Sequence, residues 1–256
     1  MIERVGIIGV GHLAGYLVEG LRRADERIEI SLSPRNAERA RSLAARFGAR
    51  VADSNQAVAD RADLVILATR PGDAAAACRA IAFRPGLTLV SVAAGLPLEA
   101  LRPAAAPADL SRAMPLSCAA IGRSPTLLYP DQPAARALFG LLGPVHALPD
   151  EEIFTRASVI AAFYGWIYAL LAETVAWATE AGVPPRTARS LVLETVRGAA
   201  EMGLARPEGD LTEFLETLAT PGGITEQGLR VLWRRNGLAA WTEALQAVLE
   251  KMDRPG

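Results

Sequence analysis

A chain of 256 residues, 51% hydrophobic and 21% charged, is long enough for one large or two ordinary domains with a sizeable core, and its composition excludes a disordered chain. Twenty-seven basic against 28 acidic residues leave a formal charge of −1, without the basic surplus that a phosphate backbone demands, so no nucleic-acid partner is expected. The two cysteines, Cys78 and Cys118, are too few for a disulfide framework or a structural zinc site, and read as reduced packing residues of a cytoplasmic protein.

Residues Met1 to Arg4 lead straight into an apolar strand without the pattern of a signal peptide. Short β-branched runs at Val5–Val10, Ile28–Leu32, Leu64–Ala68 and Leu87–Val92 predict strands. The alanine-rich stretches between them predict helices over residues 13–24, 36–47, 55–60 and 72–81. Near-continuous apolar strands separated by helices imply a parallel sheet covered on both faces. Further strands are expected at Ser111–Met114 and Thr126–Tyr129, with a loop at Ala104–Pro107.

From Asp150 onward no strand is predicted. One long helix is expected over Glu151–Ala181, stopped by Gly182 and followed by Pro184 and Pro185. Others are expected from Arg186 to about Gly203, over Leu211–Leu218 and over Thr225–Arg235, with a tail beyond Leu238. Ala157–Ala172 carries no charge but is only 16 residues long, short of the ~20 that cross a bilayer, so a buried helix and no membrane partner are expected. Ile160, Phe163, Tyr164, Trp166, Ile167, Leu170 and Leu171 cannot share one stripe of that helix. A helix apolar all round must be covered all round, which calls for a second subunit: a homodimer or higher homo-oligomer.

The segment Gly9-Val10-Gly11-His12-Leu13-Ala14 places G-x-G-x-x-A between the first strand and the first helix. Gly9 permits the turn, Gly11 lets backbone approach a pyrophosphate, Ala14 lets helix pack on strand, and amides around His12 and Leu13 attract the anion. The fold class is therefore an α/β Rossmann domain with a doubly wound, mostly parallel sheet (1–150), followed by an all-α dimerisation and substrate domain (151–256). After the second strand the chain reads Ser31-Leu32-Ser33-Pro34-Arg35-Asn36. No carboxylate is placed for a ribose 2′-hydroxyl, while Ser33, Arg35 and Asn36 can donate to a phosphate, which favours NADPH. His12 and His146 lack neighbouring cysteines or carboxylates, so no metal or triad is expected.

Several segments together resemble pyrroline-5-carboxylate reductase over nearly the whole chain. These are the glycine loop, the cofactor asparagine in Asp53-Ser54-Asn55, the strand end Ala68-Thr69-Arg70-Pro71 (with arginine where the family has lysine), the next strand end Ala93-Ala94-Gly95, and Arg112-Ala113-Met114-Pro115. The most specific is Thr220-Pro221-Gly222-Gly223-Ile224-Thr225, similar to the family's Gly-Gly-x-Thr loop. The resemblance implies that Asn55, Ala68, Thr69, Arg70, Pro71, Ala94 and Gly95 border the cofactor. It also implies that Met114, Pro115, Gly222, Gly223 and Ile224 border the substrate, with Thr225 as the catalytic hydroxyl and the substrate carboxylate held on the amides of Gly223 to Thr225. Two departures stand out: Leu116 where the family has asparagine, and Ala161-Ala162-Phe163-Tyr164-Gly165-Trp166 where it has a glycine- and serine-rich stretch.

Hydride transfer to a ketone creates an alkoxide that wants a proton donor. The related β-hydroxyacid dehydrogenases, which share this two-domain plan, use a lysine on the long interdomain helix. Here Lys251 is the only lysine. A protonated imine needs no donor, because its nitrogen becomes a neutral amine, so C=N reduction is favoured. Three readings stay open: reduction of 1-pyrroline-5-carboxylate to proline, a reductase of the same build acting on another imine or carbonyl, and a non-catalytic dinucleotide-binding protein.

Overall fold

The computed structural model describes residues 2–253. Eight strands form one sheet: β1 (Arg4–Ile8), β2 (Glu29–Leu32), β3 (Arg50–Val51), β4 (Leu64–Leu67), β5 (Thr88–Ser91), β6 (Asp109–Met114), β7 (Thr126–Tyr129) and β8 (Val145–Ala147), in the order β3-β2-β1-β4-β5-β6-β7-β8. The first six run parallel, as the apolar runs predicted; β7 turns back against β6, with Met114 opposite Leu127, and β8 runs alongside β7. Both faces are covered. Ile7, Leu64, Ile66 and Val90 pack on one side with Leu17 and Leu21 of α1 (His12–Ala24), Leu43 of α2 (Ala37–Phe47) and Phe139 of α6 (Pro133–Gly140). Ile8, Val65, Leu67 and Leu89 pack on the other with Val58 of α3 (Asn55–Arg61), Cys78 of α4 (Pro71–Arg79) and Leu101 of α5 (Leu98–Ala105). Burial there pushes the Cys78 thiol up to about 11, so it stays a protonated packing group.

The sheet half departs from expectation in small elements. β3 and β8 hold two and three residues, too few to show a period. The loop expected at Ala104–Pro107 shrinks to its last two residues, because α5 continues through Ala105. The helix α6 carries no long apolar repeat and was not expected either.

The chain divides into two compact units between Ala161 and Ala162. The first helix after the sheet, α7 (Glu151–Ser158), therefore belongs with the strands, and a polar pin accounts for it. The Arg112 guanidinium on β6, 2% exposed, donates from Nη1 to Glu151 Oε1 at 2.8 Å and to Thr155 Oγ1 at 3.3 Å, and lies over the Phe154 ring. Glu151 Oε1 also accepts the Leu98 amide that opens α5. Burial lowers the Arg112 pKa while the neighbouring Glu151 carboxylate raises it, burial being the larger influence.

The long helix expected over Glu151–Ala181 is interrupted at Val159, whose amide reaches back three residues to Arg156 O. Beyond it lie α8 (Ile160–Glu180), α9 (Pro185–Leu204), α10 (Leu211–Leu218), α11 (Ile224–Arg234) and α12 (Ala239–Asp253), the last a full helix where only a tail was expected. Trp241 of α12 packs edge-on against Phe163 of α8, ring centres 5.6 Å apart, with Trp166 beside it. The expectation of a buried helix is not met within the chain: α8 has no buried residue. Taken together, the helical stretch Glu151–Glu180 is long enough to cross a membrane and holds an 18-residue window of mean hydropathy 1.6 that is apolar enough to do so, of which only 6% is buried.

Candidate functional site

Strand order reverses at β1 and β4, and in open α/β sheets the crevice beyond the carboxyl ends at such a switch point is where ligands bind. A cleft of about 1250 Å³ lies there. Gly9, Gly11 and His12 line it from the turn after β1, Ser33 and Arg35 from the turn after β2, Asn55 from the start of α3, and Ala68, Thr69 and Arg70 from the turn after β4. Nine of the residues expected to border a cofactor thus share one wall. Leu13 and Ala14 turn instead into the core beneath it, Ala14 fully buried, which suits a packing role and leaves their contribution to backbone amides. Pro71 opens α4 beside the cleft, while Ala94 and Gly95 follow β5 at the same edge of the sheet without lining the cleft.

The turn is built to hold an anion. Gly9 sits at φ +94°, and a Cβ there would come within 2.6 Å of the Ala68 backbone, so only glycine lets the two loops approach. Helix α1 begins at an uncapped Gly11 with no acidic residue in its first turn, leaving its amides open to the cleft. A Cβ on Gly11 would meet nothing within 4 Å, so there is room for a group to reach those amides. In the same wall the buried Thr69 hydroxyl has no hydrogen-bond partner among the described residues. Open amides, free space and an orphaned hydroxyl fit a dinucleotide pyrophosphate and its ribose.

The residues expected to receive a 2′-phosphate do different work. Ser33 is 1% exposed, and its hydroxyl accepts the Gly9 amide at 3.0 Å, so it braces the glycine turn. Asn36 caps α2 through its side-chain oxygen and donates to Val10 O at 3.3 Å. Arg35 carries the charge, and its Nη1 lies 3.2 Å from Asp73 Oδ2. Sequence reasoning missed Arg39 and Asp73, both of which line the cleft. Arg39 did leave a signal: a basic residue in the first turn of α2 opposes the helix dipole, where an acid is favoured.

The residues expected to meet the substrate fall into two groups. Met114, half-buried, joins Leu116, Leu127, His146, Ile160 and Ala161 around a cavity of about 280 Å³; Pro115 beside it is buried. In the other unit, Gly222 at φ +75° and Gly223 form a tight turn into α11, whose N-cap is Gly223. The Gly222 amide donates to Glu226 Oε2 at 2.8 Å, and the Gly223 amide to Thr220 O at 2.9 Å. Glu226, held in turn by Arg230 at 2.9 Å, was not foreseen. It reaches back across the first helical turn as the acid of a capping box does, and the Gly222 amide followed by Arg230 holds its carboxyl below the usual carboxylate range. With the Gly223 amide engaged, the free donors narrow to Ile224, Thr225 and Glu226 among the described residues. Ile224 is 92% exposed, and Thr225 is exposed with its hydroxyl unengaged among the described residues.

Comparison with known proteins bears on both halves. Residues 4–95 match the family model described as NADP oxidoreductase coenzyme F420-dependent, and residues 151–254 the model for pyrroline-5-carboxylate reductase dimerisation. The pyrroline-5-carboxylate reductase of Pseudomonas aeruginosa is 30% identical, with 97% of this chain and 95% of that protein aligned. That of Thermus thermophilus is also 30% identical, with 97% of each covered. The solved 1-pyrroline-5-carboxylate reductase of Streptococcus pyogenes superposes with a TM-score of 0.85 at 26% identity, covering 97% of both chains. A Plasmodium falciparum pyrroline carboxylate reductase with NADP bound shares the fold, at a TM-score of 0.83 and 18% identity over 97% of this chain and 96% of that one.

Proposed function

Because the chain belongs to the pyrroline-5-carboxylate reductase family, we propose that it reduces a cyclic imine, 1-pyrroline-5-carboxylate, to proline with NADPH, as a homodimer in the cytoplasm. The observation that carries this reading is the pairing of an uncapped, glycine-lined helix N-terminus at the sheet's switch point with near full-length likeness to named reductases.

The residues of this chain divide the work. Amides of the α1 N-terminus hold a pyrophosphate, Thr69 and Asn55 engage the adjoining ribose, and Arg35 receives the 2′-phosphate. The bound nicotinamide supplies the hydride. Ile224 and Thr225 present backbone amides to the substrate carboxylate, with the α11 dipole behind them. The Thr225 hydroxyl hydrogen-bonds the ring nitrogen as that atom gains electron density, lowering the barrier because the bond strengthens in the transition state. No lysine stands on α8 to protonate an alkoxide, and a protonated imine needs none, since its nitrogen ends as a neutral amine.

A second reading has its own support. The cavity beside Met114 is walled by Leu116, Leu127, Ile160 and Ala161 and offers one polar side chain, His146. Such a lining favours an imine, or a carbonyl, that carries an apolar substituent.

Turnover of NADPH with 1-pyrroline-5-carboxylate and with 2-alkyl-1-pyrrolines separates the two readings. Thr225→Val, which keeps the volume, is expected to lower kcat roughly 5- to 150-fold, the worth of one lost neutral contact at ~1–3 kcal/mol. Full activity of that variant removes the hydroxyl from the chemistry. Arg35→Ala is expected to weaken NADPH and leave NADH nearly untouched; equal dissociation constants for the two cofactors in the parent protein end the NADPH assignment.

A further inference from the structure

The cofactor cleft holds a carboxylate where an incoming phosphate would not welcome one. Asp73, in the first turn of α4, and Arg35, after β2, approach from opposite sides of the cleft and meet at 3.2 Å. Helix-dipole preference alone accounts for an acid at the start of α4, but not for its partner. The N-cap of α4 is Arg70, with no side-chain cap, and the described side-chain bond of Asp73 goes to Arg35 rather than to its own helix.

We propose that Asp73 is a specificity residue of this cleft: its carboxylate holds Arg35 until a 2′-phosphate takes the guanidinium over, and so weakens NADPH selectively against NADH. The inference rests on the NADPH reading above and adds a residue that tunes it. The pair is exposed, 75% for the Arg35 side chain and 44% for Asp73, and ion pairs of that kind are weak and screened by salt. A phosphate offers the same guanidinium more charge and several acceptor oxygens, so the exchange runs toward the cofactor. With Arg35 engaged by the phosphate, the Asp73 carboxylate, which lies 3.2 Å from that guanidinium here, would lose its partner and repel the new dianion. NADH brings no 2′-phosphate, neither displaces Arg35 nor meets that repulsion, and is indifferent to Asp73. Arg39, Arg70 and Glu38 line the same cleft, so once Arg35 is transferred two guanidiniums face the carboxylates of Glu38 and Asp73, and removing the Asp73 charge tips that balance toward the anion.

The test is equilibrium titration of the cofactor-free protein with NADPH and NADH, followed by fluorescence, for the parent, Asp73→Asn and Asp73→Ser. Both substitutions keep a residue suited to the first turn of a helix, and thermal unfolding confirms that each variant is folded. Asp73→Asn is expected to tighten NADPH by roughly three- to tenfold, the effect of one unit charge a few ångströms away in water, and to move NADH by less than about twofold. The gain shrinks as salt is raised from about 20 to about 300 mM, and is smaller in an Arg35→Ala background. Weaker NADPH binding in Asp73→Asn, or equal shifts for both cofactors, overturns the proposal. If Arg35→Ala leaves the NADPH-to-NADH ratio untouched, the NADPH reading falls and this inference with it. If Arg35→Ala changes the ratio and Asp73→Asn does not, the inference alone falls.

Discussion

The sheet unit and the helical unit treat apolar side chains in opposite ways. Up to Val159 the chain buries whole rows of them, including Ile7, Leu17, Ile66, Phe139 and Phe154. From Ala162 to Lys251, among the described residues, the single buried side chain is Ala188, while Trp177, Leu191, Leu204, Leu211 and Trp233 stand exposed. The sheet unit satisfies its hydrophobic surface within itself. The helical unit does not, and one chain of this size cannot keep so much apolar surface in water without a partner. The likeness of residues 151–254 to the pyrroline-5-carboxylate reductase dimerisation model supports another copy of the chain as that cover.

This contrast is sharpest in paired substitutions. Phe139→Ala, which empties a fully buried site in the sheet unit, is expected to cost about 3–5 kcal/mol in urea unfolding, independent of protein concentration. Trp177→Ala, at a side chain 68% exposed in the single chain, is expected instead to weaken assembly by about 2 kcal/mol, seen as a concentration-dependent shift in sedimentation. A parent protein that sediments as a folded monomer at micromolar concentration would break the comparison at its root.

Glu151→Ala tests whether α7 is held to the sheet by the polar pin. It leaves the Arg112 guanidinium buried without its carboxylate and removes the acceptor of the Leu98 amide, a loss of about 3 kcal/mol in chemical unfolding. A change below 1 kcal/mol would mean that packing alone holds α7.

The smallest effect belongs to the surface of the sheet unit. The Arg27 side chain and backbone, both bonded to Asp25, hold its pKa at about 2 against an ordinary 3.8. A depressed carboxylate contributes stability above its unfolded pKa and loses it as pH falls through the folded one. Asp25→Asn is therefore expected to flatten the fall in melting temperature between about pH 4 and pH 2, with no change at pH 7 in the slope of stability against pH. An unchanged acid limb would assign that fall to other carboxylates.

Much of the molecule was legible from residue order because its cause is local. Short segments rich in Val, Ile and Leu mark β1, β2, β4 and β5, and the glycine turn after β1 declares its own geometry. Turn residues and proline placed α9 and α10 almost to the residue. The two- and three-residue strands β3 and β8 were not legible, since they exist only because a neighbouring strand offers hydrogen bonds. The site divides along the same line. Gly9 and Gly11 were readable because motif spacing ties them to a strand end, and Asn55 and Thr69 because the family resemblance implied them. Which hydroxyl braces the turn, which arginine meets which carboxylate, and which amides of the Gly222–Thr225 loop are already engaged depend on atoms brought together from distant segments. Ser33 to Gly9, Arg35 to Asp73 and Arg112 to Glu151 span 24, 38 and 39 residues. The sequence by itself determined the two-part architecture, the family and the position of the cofactor turn, because periodicity and backbone constraint act over a few residues. The tertiary structure alone decided which charges pair and which helices remain uncovered, because electrostatics and burial act through space and take no account of position along the chain.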